Sequence, residues 1–429
     1  MLDLLKIGVQ RLIKSGPKET LRRLFLRMGL YNKSIQSLPS EERTKYYEEF
    51  INFLFDFRKD KSQFVEYTEH RITFLEEDVR PIAFYLPQFH TTPENDEWWG
   101  RGFTEWTNVT KAIPQFTGHR QPRLPIDVGF YDLSNISVFE RQVALAKNYG
   151  IYGFCFHYYW FAGKRLLEKP IEMFLCNKSP ELDFPFCICW ANEDWTKVWV
   201  GNDRDVLIKQ EYSDENDISC IKDICRFVRD ERYIKINGRP LVVIYRSAVM
   251  PDAKRTVGLW REYCRSSGIG EVKIVTTDIF SKEEANALGF DCGLEFSKPL
   301  EDAILFSERS YGISKSFRGH VINADKYISE KHYLNASDSL TYKALYPSFD
   351  NSPRRITNSE IFQLTPKQYE TWLRDICNHA KTNRESGDRH VFIHSWNEWA
   401  EGAHLEPDNN LGYAYLEKTA QVVKDVNEL

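Results

Sequence analysis

The chain has 429 residues, 42% of them hydrophobic and 14% aromatic, enough for one large domain of roughly 250–350 residues plus an appendage. A net charge of -5 and a pI near 6.1 give no global reason to expect nucleic acid as a partner. The nine cysteines lack zinc-type spacing, no run nears the ~18 apolar residues of a spanning helix, and charges interrupt the N-terminal MLDLLKIGVQRLIKSG; the expectation is a cytoplasmic protein with reduced thiols, no metal and no cofactor.

Residues 1–78 read as an N-terminal helical extension. Leu5, Val9, Leu12 and Ile13 fall at helical spacing before Gly16-Pro17, and Leu21, Leu24, Phe25 and Met28 repeat the pattern before Gly29. The polar faces of this pair carry Lys6, Arg11, Lys14, Lys18, Arg22, Arg23, Arg27 and Lys33 against Asp3 and Glu19. Within residues 1–33, such helices suit either docking on the main domain or peripheral contact with an anionic surface, here the inner membrane. A third helix is expected from a Ser40 cap through Phe50, Ile51 and Leu54.

Residues 79–429 repeat one unit, an apolar or aromatic run followed by a loop and a helical pattern. The runs lie at 82–90, 151–160, 184–195, 241–246, 272–278, 292–296, 344–351 and 390–399. Helices are expected over 134–149, 214–229, 252–266, 282–288 and 366–382, the last with Thr365 as cap, Pro366 at the first helical position and Gln368 completing a capping box. Near-continuous apolar strands alternating with helices indicate a parallel sheet buried on both faces. Eight of them, with no Gly-rich dinucleotide fingerprint after the first, predict an α/β fold of the closed (β/α)8 TIM-type barrel class.

In such a barrel the chemistry lies where strands end and loops begin. Those ends hold Tyr85, Gln88 and His90; His157, Tyr158, Tyr159 and Trp160; Trp190, Asn192, Glu193 and Trp195; Asp350 and Asn351; and Trp396, Asn397, Glu398 and Glu401. One aromatic at a strand end is usually a core cap, and one acid is usually a helix cap. Five ends of this composition together suit a carbohydrate, since aromatic faces stack on sugar rings while amides, imidazoles and carboxylates bond hydroxyls. An oligosaccharide or polysaccharide is the expected partner.

The stretch HSWNEWAEG, 394–402, sets two glutamates three residues apart among tryptophans. Glycosidic bond chemistry needs two carboxyl groups, one to donate a proton and one to accept a proton or stabilise positive charge. Desolvation by tryptophan and repulsion between like charges both raise a carboxyl pKa and help it hold a proton near neutrality. The plainer alternative is that Glu398 and Glu401 cap a helix or pair with arginines.

From about residue 80 to 420 the chain resembles the glycoside hydrolase family 99-like proteins, in particular the WbsX-like group encoded among bacterial surface polysaccharide genes. The motifs are YLPQFH (85–90), NDEWWGRGFTEW (95–106), GFCFHYYWF (153–161), WANEDWTKVW (190–199), SFDNSPRR (348–355) and SWNEWAEGAHLEPD (395–408). The resemblance implies a (β/α)8 barrel and metal-free, endo-acting, retaining hydrolysis of α-mannosidic linkages. It further implies Glu398 as the base acting on the sugar's own 2-hydroxyl, through a 1,2-anhydro intermediate, and Glu401 as the acid on the leaving oxygen. With these motifs, Trp98, Trp99, Trp106 and Glu406 join the strand-end residues as expected substrate contacts. The chain departs from the pattern at Ala400, where the resemblance implies histidine. A glycosyltransferase is the alternative, for which Asp203-Arg204-Asp205 offers a three-residue match to metal-nucleotide binding; a non-catalytic glycan-binding protein is the third reading.

Overall fold

The computed structural model describes residues 40–56, 61–196, 206–279, 281–295, 317–335, 340–355 and 357–428. The basic helices expected within 1–33 and the acidic pair Asp203 and Asp205 lie outside the described residues. Eight parallel strands form the centre: β1 (Arg80–Tyr85), β2 (Gly153–Phe161), β3 (Phe186–Trp190), β4 (Arg239–Ile244), β5 (Lys273–Thr276), β6 (Cys292–Gly293), β7 (Ala344–Leu345) and β8 (His390–Ile393). Their order is β6-β5-β4-β3-β2-β1-β8-β7. The two outer strands meet where the Glu295 amide donates to the Tyr342 carbonyl at 2.7 Å and the Tyr342 amide to the Gly293 carbonyl at 3.0 Å. These bonds close the ring, and the fold is the (β/α)8 barrel that the strand count predicts.

One helix follows each strand: α1 (Ile136–Asn148), α2 (Lys169–Cys176), α3 (Asp214–Val228), α4 (Ala253–Ser266), α5 (Lys282–Ala287), α6 (Ala324–Ser329), α7 (Pro366–Asn383) and α8 (Ala414–Asn427). Local chemistry sets their starts. Asn135, Ser213, Asp252, Ser281, Asn323 and Thr365 each accept a first-turn amide, and Thr365 with Gln368 makes the expected reciprocal capping box. The expectations omit α2, α6 and α8; α2 and α6 are too short to show a helical period clearly, whereas Leu416, Thr419, Val423 and Val426 mark α8 plainly.

Strand lengths differ from the expected runs for one reason. Beyond Tyr85, Gly293, Leu345 and Ile393 the chain leaves the barrel to build loops, so the polar ends of the long runs are loop residues rather than strand residues. Part of the 344–351 run, Phe349–Asp350, pairs instead with one edge of Thr357–Phe362, whose other edge takes Arg318–Val321, in a separate small sheet. Before the barrel, a helix spans Ser40–Asp56, and the segment after Lys61 lies along α1 and α8, with Val65 bonded to Leu411 and Tyr413 and the His70 amide to Asn148. Among the described residues, no helix is long and apolar enough to cross a membrane.

Barrel closure leaves no space at Gly153 in β2, where a Cβ would lie 2.6 Å from the Pro185 carbonyl oxygen and 3.0 Å from the Ile234 side chain. Backbone cannot yield there as a flexible side-chain tip would. Gly153→Ala is expected to cost about 1–3 kcal/mol in urea unfolding; an unchanged midpoint would contradict this packing.

Candidate active site

The loop after β8 is held from below by a buried carboxylate. Glu406 accepts from the Trp399 indole at 2.7 Å, Gln142 at 2.7 Å, the Tyr131 hydroxyl at 2.8 Å and the Trp396 indole at 3.2 Å. Burial pushes its carboxyl up to about 7, against the pull of those four donors. Asn397 clamps the loop to β1 by exchanging bonds of 2.8 and 3.0 Å with the Leu86 backbone. Ser395 receives the Glu398 amide at 2.8 Å, and Trp399 stacks on His404 with centroids 3.8 Å apart. The turn Trp399–Glu401 ends at Gly402, whose φ of 56° favours glycine; its carbonyl accepts from Arg123 at 2.7 Å.

A second buried acid holds the other side. Asp350 accepts from His119 at 2.6 Å, Gln121 at 2.7 Å and the Ser352 amide at 3.0 Å. Burial would raise its pKa, but His119 and then Arg123 outweigh that and keep the carboxyl well below the usual range. Asp350 thereby braces the turn that runs through 351–355, and that turn carries Arg354.

Arg354 joins three acids. Its Nε donates to Glu105 at 2.9 Å, one terminal nitrogen to Glu401 at 2.8 Å and the other to Glu398 at 2.9 Å. Gln88, from the end of β1, approaches both oxygens of Glu398 at 3.2 Å. Glu398 is buried, whereas the Glu401 side chain keeps 25% of its exposure. Burial pushes the Glu398 carboxyl up to about 8; Arg354 opposes the shift, and Glu401 and Glu105 add to it.

The walls beside this pair come from inward-facing positions of successive strands. His157 and Tyr159 of β2 have ring centroids 6.4 Å apart, and Tyr245 lies 5.9 Å from His157. Burial holds His157 down at about 4, opposed by Glu401, so the imidazole is neutral near pH 7; neither ring nitrogen has a hydrogen-bond partner. Burial raises the phenols of Tyr159, Tyr245 and Tyr346, with Glu398 adding to the first and Glu401 to the other two. Trp195 extends the wall 5.1 Å from Tyr159 and 5.6 Å from Trp98, and Glu193 pairs with Arg246 at 2.5 Å. Among the described residues, no group of three or more His, Cys, Asp and Glu side chains is placed to hold a metal ion.

A family profile described as Glycosyltransferase WbsX matches residues 81–419. The chain belongs to the WbsX family. Two proteins from strains of Xanthomonas campestris pv. campestris, each named uncharacterized protein WxcX, are 42% identical over 343 residues (80% of this chain, 49% of the relative) and 41% identical over 362 residues (84% and 52%). The WbsX chain thus spans about half the length of the curated relatives it matches. Similar solved structures include a GH99 endo-alpha-mannosidase from Bacteroides thetaiotaomicron (14% identity, TM-score 0.48, covering 83% of this chain and 99% of that one). A glycoside hydrolase-like protein is also similar (14%, TM-score 0.49, 86% and 99%).

The barrel of this WbsX-family chain gathers some of the expected site residues and turns others away. Gln88 bonds Glu398 and His157 faces Glu401, while Trp195, Trp98 and the Glu193–Arg246 pair lie farther out along the wall beyond Tyr159. Strand alternation excludes others: Tyr85 packs among Phe139, Phe154 and Phe156, Trp190 against Trp260, and Tyr158 against Phe227, all facing the helices. Trp160 donates to Asn216 of α3. Asn192 clamps β3 to β4 through the Arg246 backbone. Trp396, Asn397, Glu406 and Asp350 are buried braces, and so is Trp106, which donates to the Tyr131 carbonyl. His90 is buried and held down at about 4, with Asp132 and Lys169 as its charged neighbours; Trp99 lies against Phe103. Sequence reasoning missed Arg354, Glu105, Tyr245 and Tyr346 as site residues, although SFDNSPRR and GFTEW contain the first two, and it named Tyr159 only as one of four residues at the end of β2.

Glu398 makes stability depend on pH. Its folded pKa of about 8 lies above the ordinary carboxyl value of 4.5, so the folded state binds the extra proton and stability falls as pH rises between these values. The slope is at most about 1.4 kcal/mol per pH unit. Glu398→Gln removes this slope, and its melting temperature should exceed the parent's by a margin that grows from pH 5 to pH 8. A constant or shrinking margin would contradict the assignment.

Proposed function

We propose that this chain is a carbohydrate-active enzyme that breaks a glycosidic bond with retention, passing the glycosyl unit to water or to another sugar, on a mannose-like or bacterial surface polysaccharide glycan. One observation carries this reading: Glu398 and Glu401 bond adjacent terminal nitrogens of the same guanidinium at the C-terminal end of the barrel. Acids so held sit on one side of the mouth, which supports retention, whose carboxyl groups stand about 5–5.5 Å apart, over inversion, which needs them on opposite faces of the sugar at roughly 6.5–9.5 Å to admit water.

In the mechanism that the family 99 resemblance suggests, Glu398 takes the proton of the sugar's 2-hydroxyl. That oxygen attacks the anomeric carbon, the glycosidic C–O bond breaks, and Glu401 protonates the departing oxygen. The resulting 1,2-anhydro ring is then opened by water or an acceptor hydroxyl, with the two acids exchanging roles. A base raised by burial is a stronger base once ionised, which suits so weak an acid as a hydroxyl. Tyr159, Trp195 and Trp98 supply ring faces for stacking, and neutral His157 offers both a donor and an acceptor to hydroxyls.

A second reading, a glycosyltransferase of lipopolysaccharide O-antigen or capsule assembly, is favoured by the description of the family itself. Calorimetry with nucleoside diphosphate sugars separates the two, because the hydrolase and transglycosylase reading predicts no binding.

The kinetic test uses a panel of 2-hydroxy sugar glycosides. Glu401→Gln should lower kcat on glycosides with poor leaving groups by about 10²–10⁴-fold and largely spare activated aryl glycosides, whereas Glu398→Gln should impair both. On an activated aryl glycoside, kcat/KM should rise with pH through about 8 as Glu398 ionises. A flat or falling profile would make Glu398 the proton donor instead. Undiminished activity in the double Gln variant would remove the site assignment.

A further inference from the structure

We propose that Arg354 and Glu105 form a positioning pair that decides which of the two candidate catalytic glutamates holds the proton. The catalytic roles rest on the proposed reaction, which runs from the form in which Glu398 has ionised and Glu401 carries the proton, whereas the resting preference argued here, with the proton on Glu398, comes from the geometry alone. All three donor positions of the Arg354 guanidinium are committed, Nε to Glu105 and the terminal nitrogens to Glu401 and Glu398. The Arg354 side chain is 6% exposed and that of Glu105 is 0% exposed, so the Nε bond fixes the plane of the fork before any ligand arrives. Asn108 secures the same Glu105 oxygen at 3.0 Å.

Three carboxylates around one cation cannot all stay ionised away from water, because the arginine offsets only one negative charge. One acid must hold a proton, and the surroundings select it. Glu105 already accepts two hydrogen bonds on one oxygen, from Arg354 Nε at 2.9 Å and Asn108 at 3.0 Å. Glu401 is the most exposed of the three and keeps solvent to support its charge. Glu398 is enclosed, and Gln88 can present its amide oxygen to a carboxyl proton as readily as its amide nitrogen to a carboxylate. The other titratable groups facing the pair are Tyr159 towards Glu398, and His157, Tyr245 and Tyr346 towards Glu401. Glu193 lies farther out, paired with Arg246, and Glu406 lies behind Trp399. None of these supplies a cation to replace Arg354.

A brace and an electrostatic selector differ in sign. Removing the Arg354 charge should make Glu398 harder to ionise; removing the Glu105 charge should make it easier, because a competing anion is lost and the guanidinium is left to the other two acids. The test is a carbon-13 NMR titration of the full chain labelled at glutamate carboxyl carbons, which reads protonation with no substrate and so stands apart from the proposed reaction. In the parent, two glutamate signals should titrate in the neutral range, Glu406 near 7 and a second near 8, and only the second should vanish in Glu398→Gln. Arg354→Gln should move that titration up by about 1–3 units, and Glu105→Gln should move it down. Shifts in the same direction, or none, would overturn the proposal and leave a purely structural brace. If Arg354→Gln fails to fold, Glu105→Gln decides alone: a downward shift supports the pair, and an unchanged or raised titration overturns it.

Discussion

A single guanidinium shared among three carboxylates, two of them buried, is the constraint on which the rest of this barrel end depends. Arg354 must be delivered to the mouth from a turn beyond β7, Glu398 and Glu401 from the loop after β8, and Glu105 from the long excursion after β1. Those segments are far apart in the chain and meet only because strands 1, 8 and 7 are neighbours in the closed ring. Parallel closure therefore does more than enclose a core. It brings together the loops whose charges must balance.

Buried acids serve three different ends here. Asp350 is ionised and satisfied by His119, Gln121 and a backbone amide, so it braces a turn. Glu406 collects four donors, two of them the indoles that flank Glu398, so it braces a loop. Glu398 has a contested cation and one amide, far less than a buried carboxylate needs, and is left poised to exchange a proton. Stability resides in the satisfied pair, and the proposed reactivity falls on the third acid.

Much of the fold was legible in the sequence, because buried parallel strands and capped helices write their periods locally. The Thr365 capping box and the eight apolar runs are examples. The acid pair was legible for the same reason, since both members lie in one short stretch. What escaped was direction. In GFCFHYYWF, alternate residues face opposite sides, so accepting His157 as inward commits Tyr159 to the site and sends Tyr158 and Trp160 to the helices. Arg354 escaped because its importance depends on three partners from other segments, the farthest 249 residues away, and no local period records that. Glu406 and Asp350 looked like sugar ligands because a buried brace and a binding residue share the same chemistry and differ only in whether their bonds are already made.

The claim at the centre of this account is that the acid pair meets two oxygens beside the anomeric carbon, the sugar's own 2-hydroxyl and the leaving glycosidic oxygen. A crystal structure of the Glu401→Gln variant soaked with oligosaccharides of mannose and other 2-hydroxy sugars tests it most directly. The account predicts a sugar ring beside Tyr159, with its 2-hydroxyl within hydrogen-bond reach of Glu398, its glycosidic oxygen at residue 401, and Arg354 still bonded to Glu105. A ring whose anomeric carbon faces a Glu398 oxygen in line for direct attack, or a sugar bound away from the pair altogether, would contradict it.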